Sequence, residues 1–292
     1  MRVLVWRTSL QYRCVSCSRS IDVPTTGSGI ITCCSCNFHY NYAPNYLSYD
    51  FDTLLFKEFR RQYLLNKVLN NNSYLSYLFL REGSISLPER QDVIRFRKFI
   101  LSHIDFGRLL DVGCGLLEIP GYLDFEDKSK FEFIGIDPIE NRSFRGMRIV
   151  GCSEFMPFED KQFDALIFAT SLDHVCSLEY TIRESYRILV EGGKVIIWMS
   201  DHHHSFWSKG RSLLRSKIMN LRKGYRTDKF VTYPNWIILY RPHGAVDPFH
   251  AFLETPQDVI SLMRNKFRLM DGVYNNRDEV FLCFSKMRSN GN

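Results

Sequence analysis

Leu109-Leu-Asp-Val-Gly-Cys-Gly115, followed 22 positions after Gly115 by Asp137 at the end of Phe131-Glu-Phe-Ile-Gly-Ile-Asp137, decides the fold. An apolar strand from Arg108 to Val112 runs into a Gly-x-Gly turn, and a second, Phe131 to Ile136, ends in a carboxylate. This is the layout of a nucleoside-binding βαβ unit. The glycines let backbone approach a ligand, and an acid at the second strand's tip accepts from both ribose hydroxyls.

The residues around the turn then choose among nucleotides. A dinucleotide sets its pyrophosphate at a helix N-terminus, where amides and the helix dipole favour negative charge. Here Asp111 stands just before the turn and Glu118 just after it, and the third glycine of a dinucleotide fingerprint is absent. Carboxylates in these places suit a cationic ligand that carries an ammonium and a sulfonium. S-adenosylmethionine meets that description and NAD does not.

At this point the chain resembles the class I S-adenosylmethionine-dependent methyltransferases. The resemblance runs over residues 87 to 199 and, more loosely, the C-terminal end. It rests on Leu109–Gly115, Gly135-Ile-Asp137, Gly151-Cys-Ser-Glu-Phe-Met-Pro-Phe158, Gln162-Phe-Asp-Ala-Leu-Ile167, Leu172-Asp-His-Val175 and Tyr186-Arg-Ile-Leu-Val-Glu-Gly-Gly-Lys-Val-Ile-Ile197. It implies a doubly wound α/β fold with a mostly parallel seven-stranded sheet, Rossmann-like, whose last strand is antiparallel. It also implies that Asp111 and the Gly113-Cys114-Gly115 turn hold the methionine end of the cofactor. Asp137 would take the ribose, Pro138 the adenine face, the backbone around Ser153 the adenine edge, and Thr170 would complete the cofactor-binding residues. Leu117 stands where the family's turn has its last glycine, and Cys152 where it often has an acid.

Strands read independently from apolar runs fall at Met147–Val150, Phe163–Ala169, Gly193–Trp198, Phe267–Met270 and Val280–Phe284. Alternation of such runs with helical segments predicts a parallel sheet covered on both faces. Helices are expected from Phe51 to Val68, ended by Asn70-Asn-Asn72, from Pro88 to Ile104, and from Val259 to Lys266. The resemblance makes the helix before the first strand a cofactor lid. The expected division is a zinc ribbon in residues 1–50, a helical connector and lid in 51–107, and a methyltransferase domain in 108–292. A substrate-shaping insertion would occupy 200–265.

The ribbon is read from Cys14-Val-Ser-Cys17, fifteen intervening residues, and Cys33-Cys-Ser-Cys36. Two CxxC knuckles at this spacing supply four thiolates for one tetrahedral, structural Zn2+. So small a unit has too little apolar surface to fold alone, and the metal would supply its folding energy. Cys34 and His39 stand close enough to exchange for a ligand. A disulfide reading is opposed by the odd count of nine cysteines.

No apolar run reaches the ~18 residues that span a bilayer, and Met1–Arg7 is too short for a signal peptide. The expected compartment is therefore the reducing cytoplasm. The formal charge of +6 divides into +6 over residues 1–108, −7 over 109–199 and +7 over 200–292. That division suits a cationic cofactor at the centre and an anionic substrate at the edges, or else serves solubility.

Asp173-His174 follows the fourth strand, where the family meets the transferred methyl, and His174 has a suitable intrinsic pKa for a base. Asp173 could instead cap the next helix and His174 merely pack. The insertion holds His202, His203, His204 and His250 as further bases. Its stretch Lys209–Lys229 has eight Lys/Arg and one acid, interleaved with aromatics. Three functions stay open at this point. They are methyl transfer to an O or N nucleophile of an anionic small-molecule or glycan-type acceptor, methylation of structured RNA, and a non-catalytic zinc-organised interaction protein. The basic stretch could also lie against anionic lipid.

Overall fold

A computed structural model describes residues 9–79, 88–140, 142, 144–201, 255–276 and 279–288. The basic stretch Lys209–Lys229, the histidines His202–His204 and His250, and Asp247 lie outside the described residues.

Seven strands form the expected sheet: β6 (Gly107–Val112), β7 (Phe131–Asp137), β8 (Met147–Val150), β9 (Phe163–Ala169), β10 (Leu189–Met199), β11 (Phe267–Asn276) and β12 (Glu279–Lys286). Their order is β8-β7-β6-β9-β10-β12-β11. The first five are parallel, and β12 runs antiparallel to both its neighbours. The order reverses between β6 and β9, and ligands in open α/β sheets bind in the crevice at such a reversal.

The N-terminal unit does not sit apart from this sheet. Its strands β3 (Gly29–Thr32), β4 (His39–Ala43) and β5 (Tyr46–Tyr49) extend it to ten, with β5 lying parallel to β8 from Tyr46↔Arg148 to Ser48↔Val150. A separate antiparallel pair, β1 (Tyr12–Arg13) with β2 (Ser20–Ile21), frames the first cysteine knuckle.

Side-chain alternation assigns the two covering layers, because successive strand residues face opposite ways. Along β10, Val195, Ile197 and Met199 belong to one core with Leu178 and Ile182 of α3 (Leu178–Ile188) and Val259 and Met263 of α4 (Pro256–Met263). Ile196 and Trp198 belong to the other, with Val93, Phe96, Phe99 and Ile100 of α2 (Gln91–Leu101). Phe96 is fully buried against the rings of Tyr122, Trp198 and Phe281. Burying such a side chain stabilises by roughly 1.5–3 kcal/mol. The helix before the first strand thus packs on the face of the sheet.

Three local expectations need correction. Helix α1 (Phe51–Phe79) continues through Asn70-Asn-Asn72 with a kink at Phe59, because asparagine's helix penalty is under ~1 kcal/mol per residue and does not end a helix by itself. Helix α4 starts at Pro256, three residues early, where Thr255 and Asp258 form a capping box. No α-helix follows the Gly-x-Gly turn. Pro120 and Gly121 interrupt the segment, which makes two 3-10 turns, Gly121–Leu123 and Lys128–Lys130, and inserts Tyr122, Leu123 and Phe125 into the core.

Among the described residues no helix is long and apolar enough to cross a membrane.

Candidate functional site

The reversal of strand order brings the turn after β6 against the turn after β9. Gly113 (φ 82°) lies so close to Ser171 that a Cβ there would collide with that side chain, and the Ser171 hydroxyl donates to the Val112 carbonyl. Gly115 (φ 66°) has no described atom within 4 Å of where its Cβ would project, so the outer side of the turn is open. Both glycines hold backbone that an L side chain rarely adopts.

Asp137, at the tip of β7, accepts from the Gly115 amide at 2.9 Å and from the Ile139 amide at 2.8 Å. Its carboxylate therefore faces the glycine turn. The two acids that guided the reading of charge are placed differently. Glu118 is turned outward to Arg145 at 2.7 Å. Asp111 is wholly buried beneath the turn, where the Tyr122 phenol donates to its two oxygens at 3.1 and 2.9 Å. Burial pushes its carboxyl up to about 7, and the Tyr122 hydrogen bond opposes that rise. In this arrangement Asp137 supplies the negative charge at the turn, and Asp111 lies one layer below it.

Arg148, a residue the sequence reading passed over, binds this region from behind. It is 1% exposed, with its guanidinium donating to the Cys114 sulfur and the Ile139 carbonyl and lying 3.9 Å from Asp137. Cys114 therefore points inward, away from the open side of the turn. The signal was available, since Met147-Arg-Ile-Val150 reads as an apolar strand with one charge inside it.

Across the crevice, Thr170, Leu172, Asp173, Leu178, Trp198, Met199, Ser200 and Val259 line a small open cleft. Thr170 adopts φ 54°, a strained conformation for a β-branched residue and one that clusters at functional sites. Asp173 reaches the cleft wall, and His174 Nε2 stands 3.8 Å from its Oδ1. Neither caps α3. Ser177 does that, and Glu154 reinforces it by accepting from the amides of Cys176 and Ser177. The His174 carbonyl is held by Asn66 of α1 at 2.7 Å. Pro138 is exposed beside Asp137, whereas Ser153 is buried with its hydroxyl 2.8 Å from that of Thr181.

The four knuckle cysteines come together. Their sulfurs lie within 4.8 Å of one another, with Cys14 3.5 Å from Cys36 and Cys17 3.6 Å from Cys33. Zinc–sulfur bonds of ≈ 2.3 Å in a tetrahedron put sulfurs about 3.8 Å apart, so the cage fits that ion. The knuckles repeat one conformation: the Ser18 amide bonds the Cys14 carbonyl and the Asn37 amide that of Cys33, with both Ser18 and Asn37 at positive φ. The Ser35 amide leads in lowering the Cys33 thiol to about 7, while burial pushes Cys14 up to about 12. Cys34 is exposed, and the His39 ring bonds Thr32, so neither joins the cluster.

Residues 110–197 match the family described as a methyltransferase domain. The chain carries a class I S-adenosylmethionine-dependent methyltransferase domain. Over 119 residues it is 27% identical to a ubiquinone/menaquinone biosynthesis C-methyltransferase of Geotalea daltonii, covering 35% of this chain and 50% of that protein. Over 102 residues it is 33% identical to a sterol 4-C-methyltransferase of Caenorhabditis elegans, covering 30% of each. The matched region thus spans about half or less of these curated relatives. A solved structure of similar fold is the 1,6-didemethyltoxoflavin-N1-methyltransferase of Burkholderia thailandensis with 1,6-didemethyltoxoflavin and S-adenosylhomocysteine. It is 12% identical, with a TM-score of 0.50 over 76% of this chain and 88% of that one.

In this methyltransferase domain the raised Asp111 carboxyl makes stability depend on pH. A buried acid with a folded pKa near 7 favours the protonated form, so its contribution is greatest below about pH 4 and is lost as pH rises towards 7. Asp111→Asn keeps an acceptor for Tyr122 and removes the ionisation. Relative to wild type, the variant should gain stability on the order of a few kcal/mol between pH 5 and pH 8, measured by urea denaturation. An equal difference at both pH values would show that Asp111 does not titrate there.

Proposed function

We propose that the chain transfers a methyl group from S-adenosylmethionine to an O or N nucleophile of an anionic small-molecule or glycan-type acceptor. The observation that carries this reading is the Asp137 carboxylate, fixed by the Gly115 and Ile139 amides at the open side of the Gly-x-Gly turn. A carboxylate there attracts a cation and receives ribose hydroxyls.

The sulfonium donor arrives already activated, so the protein's own task is alignment and exclusion of water. Gly113, Gly115 and Asp137 would hold the nucleoside and methionine portions on one side of the crevice, with Asp111 buried below the turn and bonded by Tyr122. Pro138 and the backbone of Cys152–Phe155 would seat the adenine. Leu172, Trp198 and Met199 supply an apolar wall where the acceptor enters. His174, paired with Asp173 on that wall, would take the proton of a hydroxyl or amine nucleophile.

The acceptor's anionic character is supported by the basic residues of 209–229, which begin ten positions after the end of β10. The same stretch, with Trp207, Tyr225, Phe230, Tyr233 and Trp236 interleaved, favours RNA as the second reading. Salt-dependent retention on RNA separates the two, since phosphate-tracking surfaces lose affinity steeply with salt. We assign Cys14, Cys17, Cys33 and Cys36 as ligands of one structural zinc, with no open position for chemistry. A reducing, cytoplasmic setting, in which cysteines rarely pair as disulfides, is part of the same proposal.

Calorimetry with S-adenosylhomocysteine tests the cofactor reading: wild type should bind, and Asp137→Ala should lose at least tenfold in affinity while keeping its fold. Retained affinity would sink the ribose assignment. Metal analysis should find one zinc per chain, released by chelation together with loss of order in residues 10–45; a metal-free protein of unchanged stability would remove the zinc assignment.

A further inference from the structure

The four-cysteine N-terminal unit is bonded directly to the loop that follows β8. Its β1 edge lies along residues 157–159: the Arg13 amide donates to the Pro157 carbonyl at 3.1 Å and the Glu159 amide to the Gln11 carbonyl at 3.0 Å. From the other side Tyr49, at the end of β5 and 5% exposed, enters the loop itself. Its hydroxyl accepts from the Cys152 amide at 3.2 Å and donates to the Phe155 carbonyl. A side chain on Gly151 would strike the Tyr49 ring, so glycine at this position lets the two segments meet.

This loop connects both halves of the crevice. It begins beside the ribose acid, where the Gly151 amide donates to the Asp137 carbonyl at 3.1 Å. It carries Glu154, whose carboxylate holds the amides at the start of α3. One hydroxyl thus satisfies the Cys152 amide and the Phe155 carbonyl and sets the path of the backbone between them. Removing it leaves partly or wholly buried polar groups without that partner, and the loop can recover their hydrogen bonds only by moving.

We propose that Tyr49 is a positioning residue of the cofactor site, through which the four-cysteine unit fixes the Cys152–Phe155 backbone under the adenine. The proposal rests on the S-adenosylmethionine reading above. It makes the metal site a determinant of cofactor affinity, although no cysteine of the cluster touches the cofactor.

The test titrates zinc-loaded wild type and Tyr49→Phe with S-adenosylhomocysteine and, separately, with adenosine. Both affinities should fall about five- to tenfold and by the same factor, with zinc content unchanged. A common factor locates the loss at the adenosine end; a general loosening of the crevice would weaken S-adenosylhomocysteine more than adenosine, and that result counts against the proposal. Wild-type affinity in Tyr49→Phe overturns it. A wild type that binds neither ligand overturns the underlying reading and the proposal with it. Hydrogen–deuterium exchange of the unmutated protein provides a measurement independent of the variant. Chelation should speed exchange in residues 151–156 while β9 stays protected, and unchanged exchange in 151–156 overturns the proposal.

Discussion

The close approach of Gly113 to Ser171 is the constraint on which the rest of the site depends. It closes the point where strand order reverses and sets the turn after β6 beside the turn after β9. Everything proposed for the chemistry is divided across that contact. The nucleoside-holding groups lie on the β6 and β7 side, and the apolar cleft with Asp173 lies on the β9 and β10 side. Any larger residue at 113 would force the two turns apart and separate donor from acceptor.

Charge within the site is arranged in depth. Asp137 lies at the surface of the turn, Asp111 beneath it, and the Arg148 guanidinium reaches both regions from the far side of the strands. The buried arginine lowers the repulsion between the two acids, and the Tyr122 phenol stabilises the deeper one. A buried charge is tolerated only where such partners exist. The loop 113–125, which forms no α-helix, is what delivers Tyr122 to Asp111 and Cys114 to Arg148.

Much of this was legible in the sequence, and the reasons are specific. The strands β8 and β9 are short apolar runs with polar boundaries, so their limits were read to the residue. The cysteine knuckles were read from spacing alone, since a CxxC turn carries its geometry locally. Arg148, Tyr122, Tyr49 and Asn66 were missed because each acts on a partner far away in the chain, and no periodicity marks such a pair. Glu118 misled the charge argument for the same reason. Its proximity to the turn in sequence said nothing of Arg145, which draws it outward. The extension of the sheet by β5 was equally invisible, because parallel pairing with β8 has no local signature.

That pairing joins residues about a hundred positions apart. As the chain is synthesised, Met147–Val150 emerge long after Tyr46–Tyr49, so the outer strand of the N-terminal unit waits without its neighbour. The cysteine cage proposed to take zinc needs only residues 14 to 36, so its assembly can precede this step. A loaded cage would then present a preformed edge onto which the later strand docks, shortening the search that so distant a contact otherwise imposes.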